Sequence, residues 1–164
     1  MKKYALSVAA VLMIGSSIAP AVHGQDTDAG LVGSWTLSVE DSDFGPTPAP
    51  DSVFMTIERA DDRLVMRRDL HFSRMGGFRF VTFDMPTDGG TYEATTVDGP
   101  QDVTVSWDGA ELVMVTEVEA NIGTVEVIDR LTTNDDGRTL ILMRLMDIPT
   151  MGVMESTLVF LRGD

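Results

Sequence analysis

The sequence predicts an all-β fold, an antiparallel up-and-down β-barrel of about eight to ten strands. Three observations carry that expectation. Val, Thr, Ile and Leu alternate with polar residues in short runs, the period of a strand with one buried face. Turn residues punctuate the runs, among them Asp98-Gly99, Asp108-Gly109 and Asp136-Gly137, where glycine takes a positive φ without strain. No long window carries a helical period, and the connections are too short for parallel strands, which need a dozen or more residues. An open sheet of this many strands would leave two long exposed edges, and closure removes them. A sandwich is the alternative, but its crossovers usually need longer connections.

Residues 1–24 read as a signal peptide and not as part of the fold. Lys2 and Lys3 are followed by the apolar run 4–14 and then by small residues Gly15, Ser16 and Ser17. Cleavage fits after Gly24, with Ala21 as the other site, and the expected location is secreted or periplasmic. Residues 25–164 then form a single domain, large enough to bury a core without disulfides; the chain has no cysteine. Its strands are expected at 31–39, 52–59, 63–72, 78–84, 91–97, 102–107, 111–120, 124–133, 139–148 and 153–162. Between the first two lies a loop, 40–52, in which Pro46, Pro48 and Pro50 alternate with other residues. That pattern favours an extended path without ladder hydrogen bonds. It suits a stiff lid across a barrel mouth or a brace for the first hairpin.

The stretch GSWTLSVEDSDFGPTPAPDSVFMTIE, at 33–58, resembles the start of small secreted bacterial lipocalin-like proteins of the calycin type. There a G-x-W strand precedes a Pro-rich loop and a further strand. VTVSWDG at 103–109 and TLVF at 157–160 fit their later hairpins. The resemblance implies a barrel whose tryptophan, here Trp35, plugs the closed end and stacks on an arginine from a late strand. Arg162 is a possible partner, although no motif fixes it. Most such relatives are uncharacterised, so the resemblance implies fold and compartment rather than activity.

Charge and inventory exclude more than they assign. The 12 basic residues include both leader lysines, which leaves ten arginines against 26 acids. So acidic a surface is a poor match for nucleic acid or for an anionic membrane. No segment reads as a membrane span. Without cysteine or a lysine beyond the leader, thiol nucleophiles, Schiff bases and P-loops are excluded. His71 alternates in phase with Asp69 and Arg67, which places it on the outside. Two Asp-x-Asp-x-Gly strings, from Asp26 and from Asp41, suit turns; neither continues as a calcium loop. No catalytic residue, metal or cofactor is assigned.

Alternation also yields a candidate site. The inward row of the third strand reads Leu64, Met66, Arg68, Leu70, Phe72. The eighth reads Val125, Val127, Asp129, Leu131, and the ninth Leu140, Leu142, Arg144, Met146. Two arginines and one aspartate thus fall among apolar positions, where charges are costly unless paired. One aspartate balances one arginine, and a ligand carboxylate would balance the other. The expected function is to bind an apolar small molecule, a lipid or another apolar acid, inside the barrel. Arg68, Arg144 and Asp129 would meet its head, and Met66, Phe72, Met114, Leu142, Met146 and Phe160 would line the cavity. Methionine suits such a wall because it adapts to varied apolar shapes. The alternatives are a protein-interaction module with a filled core, or a carboxylate-based cyclase, isomerase or hydrolase using Asp129 or Glu117.

Overall fold

Alternating β-branched and polar residues hold ten strands at the places the pattern marks, with ends differing by a few residues. In order they are β1 Gly33–Asp43, β2 Ser52–Ala60, β3 Arg63–Phe72, β4 Gly77–Pro86, β5 Gly90–Thr96, β6 Gly99–Asp108, β7 Glu111–Ala120, β8 Gly123–Thr133, β9 Thr139–Ile148 and β10 Gly152–Arg162. A single 3-10 turn, Ser73–Met75, joins β3 to β4. The computed structural model describes residue 28 and residues 30–75 and 77–163. The expected signal peptide, its cleavage sites and Asp26 of the first Asp-x-Asp-x-Gly string lie outside the described residues. Each strand pairs antiparallel with its sequence neighbours, and β10 pairs with β1 to close an up-and-down barrel. Among the described residues no helix is long and apolar enough to cross a membrane.

The barrel has a packed end and a looser end. The turns after β2, β4, β6 and β8 sit at the packed end. Leu31, Trp35, Ile57, Leu64, Met85, Leu112, Leu131, Leu140 and Phe160 are buried there, each 0–1 % exposed. Burying one such side chain contributes about 1.5–3 kcal/mol, so this end supplies most of the apolar stabilisation. The turn before β1 folds under it: Leu31 N donates to Asp28 O at 2.9 Å, and Trp35 Nε1 donates to Leu31 O at 2.8 Å. Asp28 is buried and ion-paired with Arg59 of β2. Arg162 lies over the Trp35 ring, 4.4 Å from its centre, and donates to Gly30 O, Val32 O and Gly137 O. Gly33 makes this stack possible. Its φ is +151°, and a Cβ there would come 2.6 Å from the Arg162 guanidinium.

β1 runs to Asp43, beyond the expected end at residue 39. The reason is a bulge between Ser38 and Asp43, where Ser42 Oγ donates to Ser38 O and accepts from Val159 N, at 2.6 and 2.9 Å. The bulge carries the ladder to β10 past the irregularity. Asp43 and Asp41 act in local turn chemistry, accepting from Gly45 N at 2.9 Å and from Ser38 Oγ at 2.6 Å.

The outer surface carries one unfavourable row. Glu117, Glu126 and Asp147 stand directly opposite one another across β7, β8 and β9, all exposed. Like charges directly opposed destabilise a sheet by a few tenths to about 1 kcal/mol. Glu126→Thr removes the central charge and adds a β-branched residue. It is expected to raise the urea midpoint by about 0.5–1 kcal/mol equivalent. The gain should shrink in high salt, which already screens the row.

Candidate functional site

Interior side chains of β3, β8 and β9 bring Arg68, Asp129 and Arg144 together. In a ten-stranded closed order, β3 and β8 lie five strands apart whichever way round they are counted. The Arg68–Asp129 contact therefore crosses the lumen and ties opposite walls. Arg68 Nη1 donates to Asp129 Oδ2 at 2.8 Å. Arg144, opposite Asp129 in the β8–β9 register, donates from Nε to Oδ1 at 2.7 Å and from Nη2 to Oδ2 at 2.8 Å. Arg68 is 4 % exposed and Asp129 5 %, whereas the Arg144 side chain keeps 30 %. The crossbar is thus sealed at Arg68 and reached by water at Arg144.

Its charges decide one another's titration. Burial pushes the Asp129 carboxyl up, but the charges of Arg144 and Arg68 and their hydrogen bonds outweigh this and hold it below the ordinary carboxylate range. Burial pulls the Arg68 guanidinium down, while Asp129 pushes it back up and Arg144 adds to the fall. Arg144 is raised, chiefly by the Asp129 charge. Two cations and one anion leave a net positive charge inside an apolar barrel.

The unmatched part of that charge has a definite address. Arg68 Nε and Nη2, the two donors of its side-on edge, are buried with no hydrogen-bond partner among the described residues. Arg144 holds both oxygens of Asp129 with the same pair of atoms, Nε and Nη2. Beside its cross-strand neighbours Met55 and Val81, two aromatic residues stand near Arg68. Its guanidinium lies over the Phe83 ring of β4, 5.2 Å from the centre. The Tyr92 hydroxyl of β5 is buried, also without a partner, and its phenol feels the Arg68 charge. Burial pushes that phenol well above its ordinary range, so it stays protonated and able to donate.

Other residues expected at the site divide by level. Met66, Met114, Leu142 and Phe160 are packed into the core on the Trp35 side, or level with Asp129. Phe72 and Met146 lie toward the other end and are half-buried. Tyr92 and Phe83 were not among the residues expected there. The signal for Tyr92 is its phase with Ala94, which is fully buried on the same short strand. His71 faces outward with its side chain 53 % exposed, 3.6 Å from Asp51.

At the looser end a groove of about 540 Å³ lies under the Pro-rich loop, lined by Val39, Pro48, Ala49, Pro50, Asp51, Phe72 and Arg74. Asp51 N donates to His71 O at 2.9 Å, and the Asp51 carboxylate accepts from Ser73 N and from Ser73 Oγ. The loop is thereby fastened to the end of β3. The Ser73 hydrogen bonds, with help from His71 and Arg74, hold the Asp51 carboxyl below its usual value.

No protein-family description matches the chain, and no curated protein matches it in sequence. Its fold is similar to a solved structure. "Crystal Structure of Rv2717c from M. tuberculosis" aligns with a TM-score of 0.51 at 14 % identity, covering 83 % of this chain and 94 % of that one. At this identity the likeness extends to the β-barrel fold alone.

Proposed function

We propose that this protein is a secreted or periplasmic lipocalin-like carrier that holds an apolar acid in the barrel, its carboxylate on the side-on edge of Arg68. The observation that carries the reading is the pair of buried donors, Arg68 Nε and Nη2, without a partner among the described residues. A carboxylate matches that fork bidentately and neutralises the excess charge. Asp129 in the grip of Arg144 is an internal example of the same geometry. Because Arg144 uses its own fork on Asp129, Arg144 positions the aspartate and Arg68 meets the ligand. The Tyr92 hydroxyl supplies a further donor.

Asp129 has both oxygens held by arginines and its carboxyl is kept low, which argues against Asp129 as a general acid, since that role at neutral pH needs a raised carboxyl. Glu117, the other candidate, is exposed on the outer face.

The test is titration of dodecanoate, and of dodecanol as the uncharged control, into the wild type, Arg68→Met and Tyr92→Phe. Arg68→Met leaves Asp129 held by both bonds from Arg144, so the fold stands. A hydrogen bond to a charged group contributes about 1.5–3 kcal/mol, so dodecanoate affinity is expected to fall roughly 10- to 150-fold. Tyr92→Phe should cost less, about tenfold. Equal binding of the acid by the wild type and Arg68→Met would refute the assignment.

A further inference from the structure

Exposed apolar side chains gather at one end of the barrel. The connections after β3, β5, β7 and β9 form an arc of the looser rim, opposite the turns of the packed end. Phe78, Val97, Ile122, Met151 and Val153 each lie in one of these connections or within two residues of it. All are between 43 and 68 % exposed. Val97 N donates to Phe80 O at 3.3 Å, which fastens the second tip beside the first. Phe54 and Met143 are exposed on the outer wall, and Leu161 near the packed end. A single exposed apolar residue needs no explanation, but one on each of four neighbouring connections does.

Charge is divided between the ends as well. The turns of the packed end carry Asp61, Asp62, Asp88, Asp135 and Asp136, whereas Asp98 is the only acid in the four connections of the arc. Arg74 and Arg79 are exposed at the start of the arc, and neither makes an ion pair among the described residues. Arg79 reaches only the Phe78 carbonyl, at 3.5 Å.

We infer that the barrel docks by this end on a zwitterionic phospholipid surface. Phe78, Val97, Ile122 and Met151 enter the interface, and Arg74 and Arg79 meet lipid phosphates. The spacing of the tips favours lipid over protein. Successive connections stand two strands apart, roughly 10 Å along the rim. A protein partner needs a contiguous buried centre, while a fluid interface takes up separate points to a depth of about 5–10 Å. The charges select the headgroup. Guanidinium matches phosphate, but Glu119 and Asp147, at strand ends beside the arc, disfavour a surface with net negative charge. The inference does not rest on the Arg68 site, so vesicle binding and the dodecanoate titration succeed or fail separately.

Flotation of the exported protein with phosphatidylcholine vesicles tests this. The wild type is expected to float with the vesicles. Phe78→Ser, Ile122→Ser and Met151→Ser should each lower the partition coefficient about three- to tenfold, because each withdraws an apolar side chain from the interface. The pair Arg74→Gln and Arg79→Gln should lower it about threefold. Leu161→Ser, a like change near the packed end, should leave it within about twofold. All these side chains are exposed, so urea midpoints should match the wild type and exclude unfolding as the cause. A wild type that stays behind, or a Leu161→Ser variant as weakened as Phe78→Ser, would overturn the inference. A wild type that ignores vesicles but is held by one envelope protein through Phe78 and Met151 would assign the rim to a protein partner and overturn it too. Amide NMR in phosphatidylcholine nanodiscs with nitroxide-labelled lipid gives the orientation. Broadening is expected at Phe78, Val97, Ile122 and Met151 and not at Asp88 or Asp136; the reverse pattern would place the packed end on the lipid and refute the docking.

Discussion

Asp129→Asn is expected to destabilise the barrel by about 3–5 kcal/mol, a large share of the 5–15 kcal/mol that holds a domain folded. The side chain keeps its size, so the loss is electrostatic. Arg68 and Arg144, which now share one carboxylate across the lumen, would face each other as two uncompensated guanidinium groups. The triple variant Arg68→Met, Asp129→Leu, Arg144→Met is expected to behave differently. Exchange of a complete buried ion cluster for apolar residues of similar volume is neutral or stabilising, by up to about 4 kcal/mol. Urea midpoints should therefore rank the triple variant at or above the wild type and far above Asp129→Asn. The triple variant should also bind no dodecanoate. A crossbar that served stability alone would give the opposite ranking, with the triple variant well below the wild type.

The same aspartate sets an acid limit. Its folded pKa lies below its unfolded value, which is about 3.9. A depressed carboxyl contributes stability that is fully present above the unfolded pKa and is lost as pH falls through the folded one. The wild type should lose stability below about pH 4 more steeply than the triple variant, which has no such group. Equal acid profiles would show that Asp129 is not held in the charged state.

Alternation made most of this architecture legible. The ten strands lie largely where polar and apolar residues alternate, because a barrel with one solvated face imposes a period of two wherever no bulge interrupts it. The same parity singled out Arg68, Asp129 and Arg144, since charged residues on an otherwise apolar row are conspicuous. That Arg68 would reach Asp129 across the lumen, while Arg144 gripped it from the side, depends on closure register and side-chain direction, which no single strand encodes. Tyr92 escaped notice because its strand is short and carries only Ala94 as a buried partner. The extension of β1 to Asp43 was hidden because a Ser42-mediated bulge shifts the phase within a polar run. Likewise Arg162 is one arginine among ten, and only the β1–β10 register, which pairs it with Trp35, selects it.

Trp35→Ala is expected to cost about 3–5 kcal/mol, the loss usual for a large aromatic deleted from a filled core. Three contributions fall together. The ring is fully buried, Leu31 O loses its indole donor, and the Arg162 guanidinium loses the face it lies on. Trp35→Phe separates them, because it keeps most of the volume and an aromatic face but removes the N–H. Its cost should stay near 1–2 kcal/mol, the price of an unpaired buried carbonyl and a smaller ring. Arg162→Met tests the stack from the other side; it leaves the carbonyls of Gly30, Val32 and Gly137 without their shared donor. Filled core separates Trp35 from the looser end, so Trp35→Phe should leave dodecanoate affinity within about twofold of wild type, as additivity predicts for independent sites. A drop in affinity comparable to that of Arg68→Met would mean that the plugged end and the acid site are coupled.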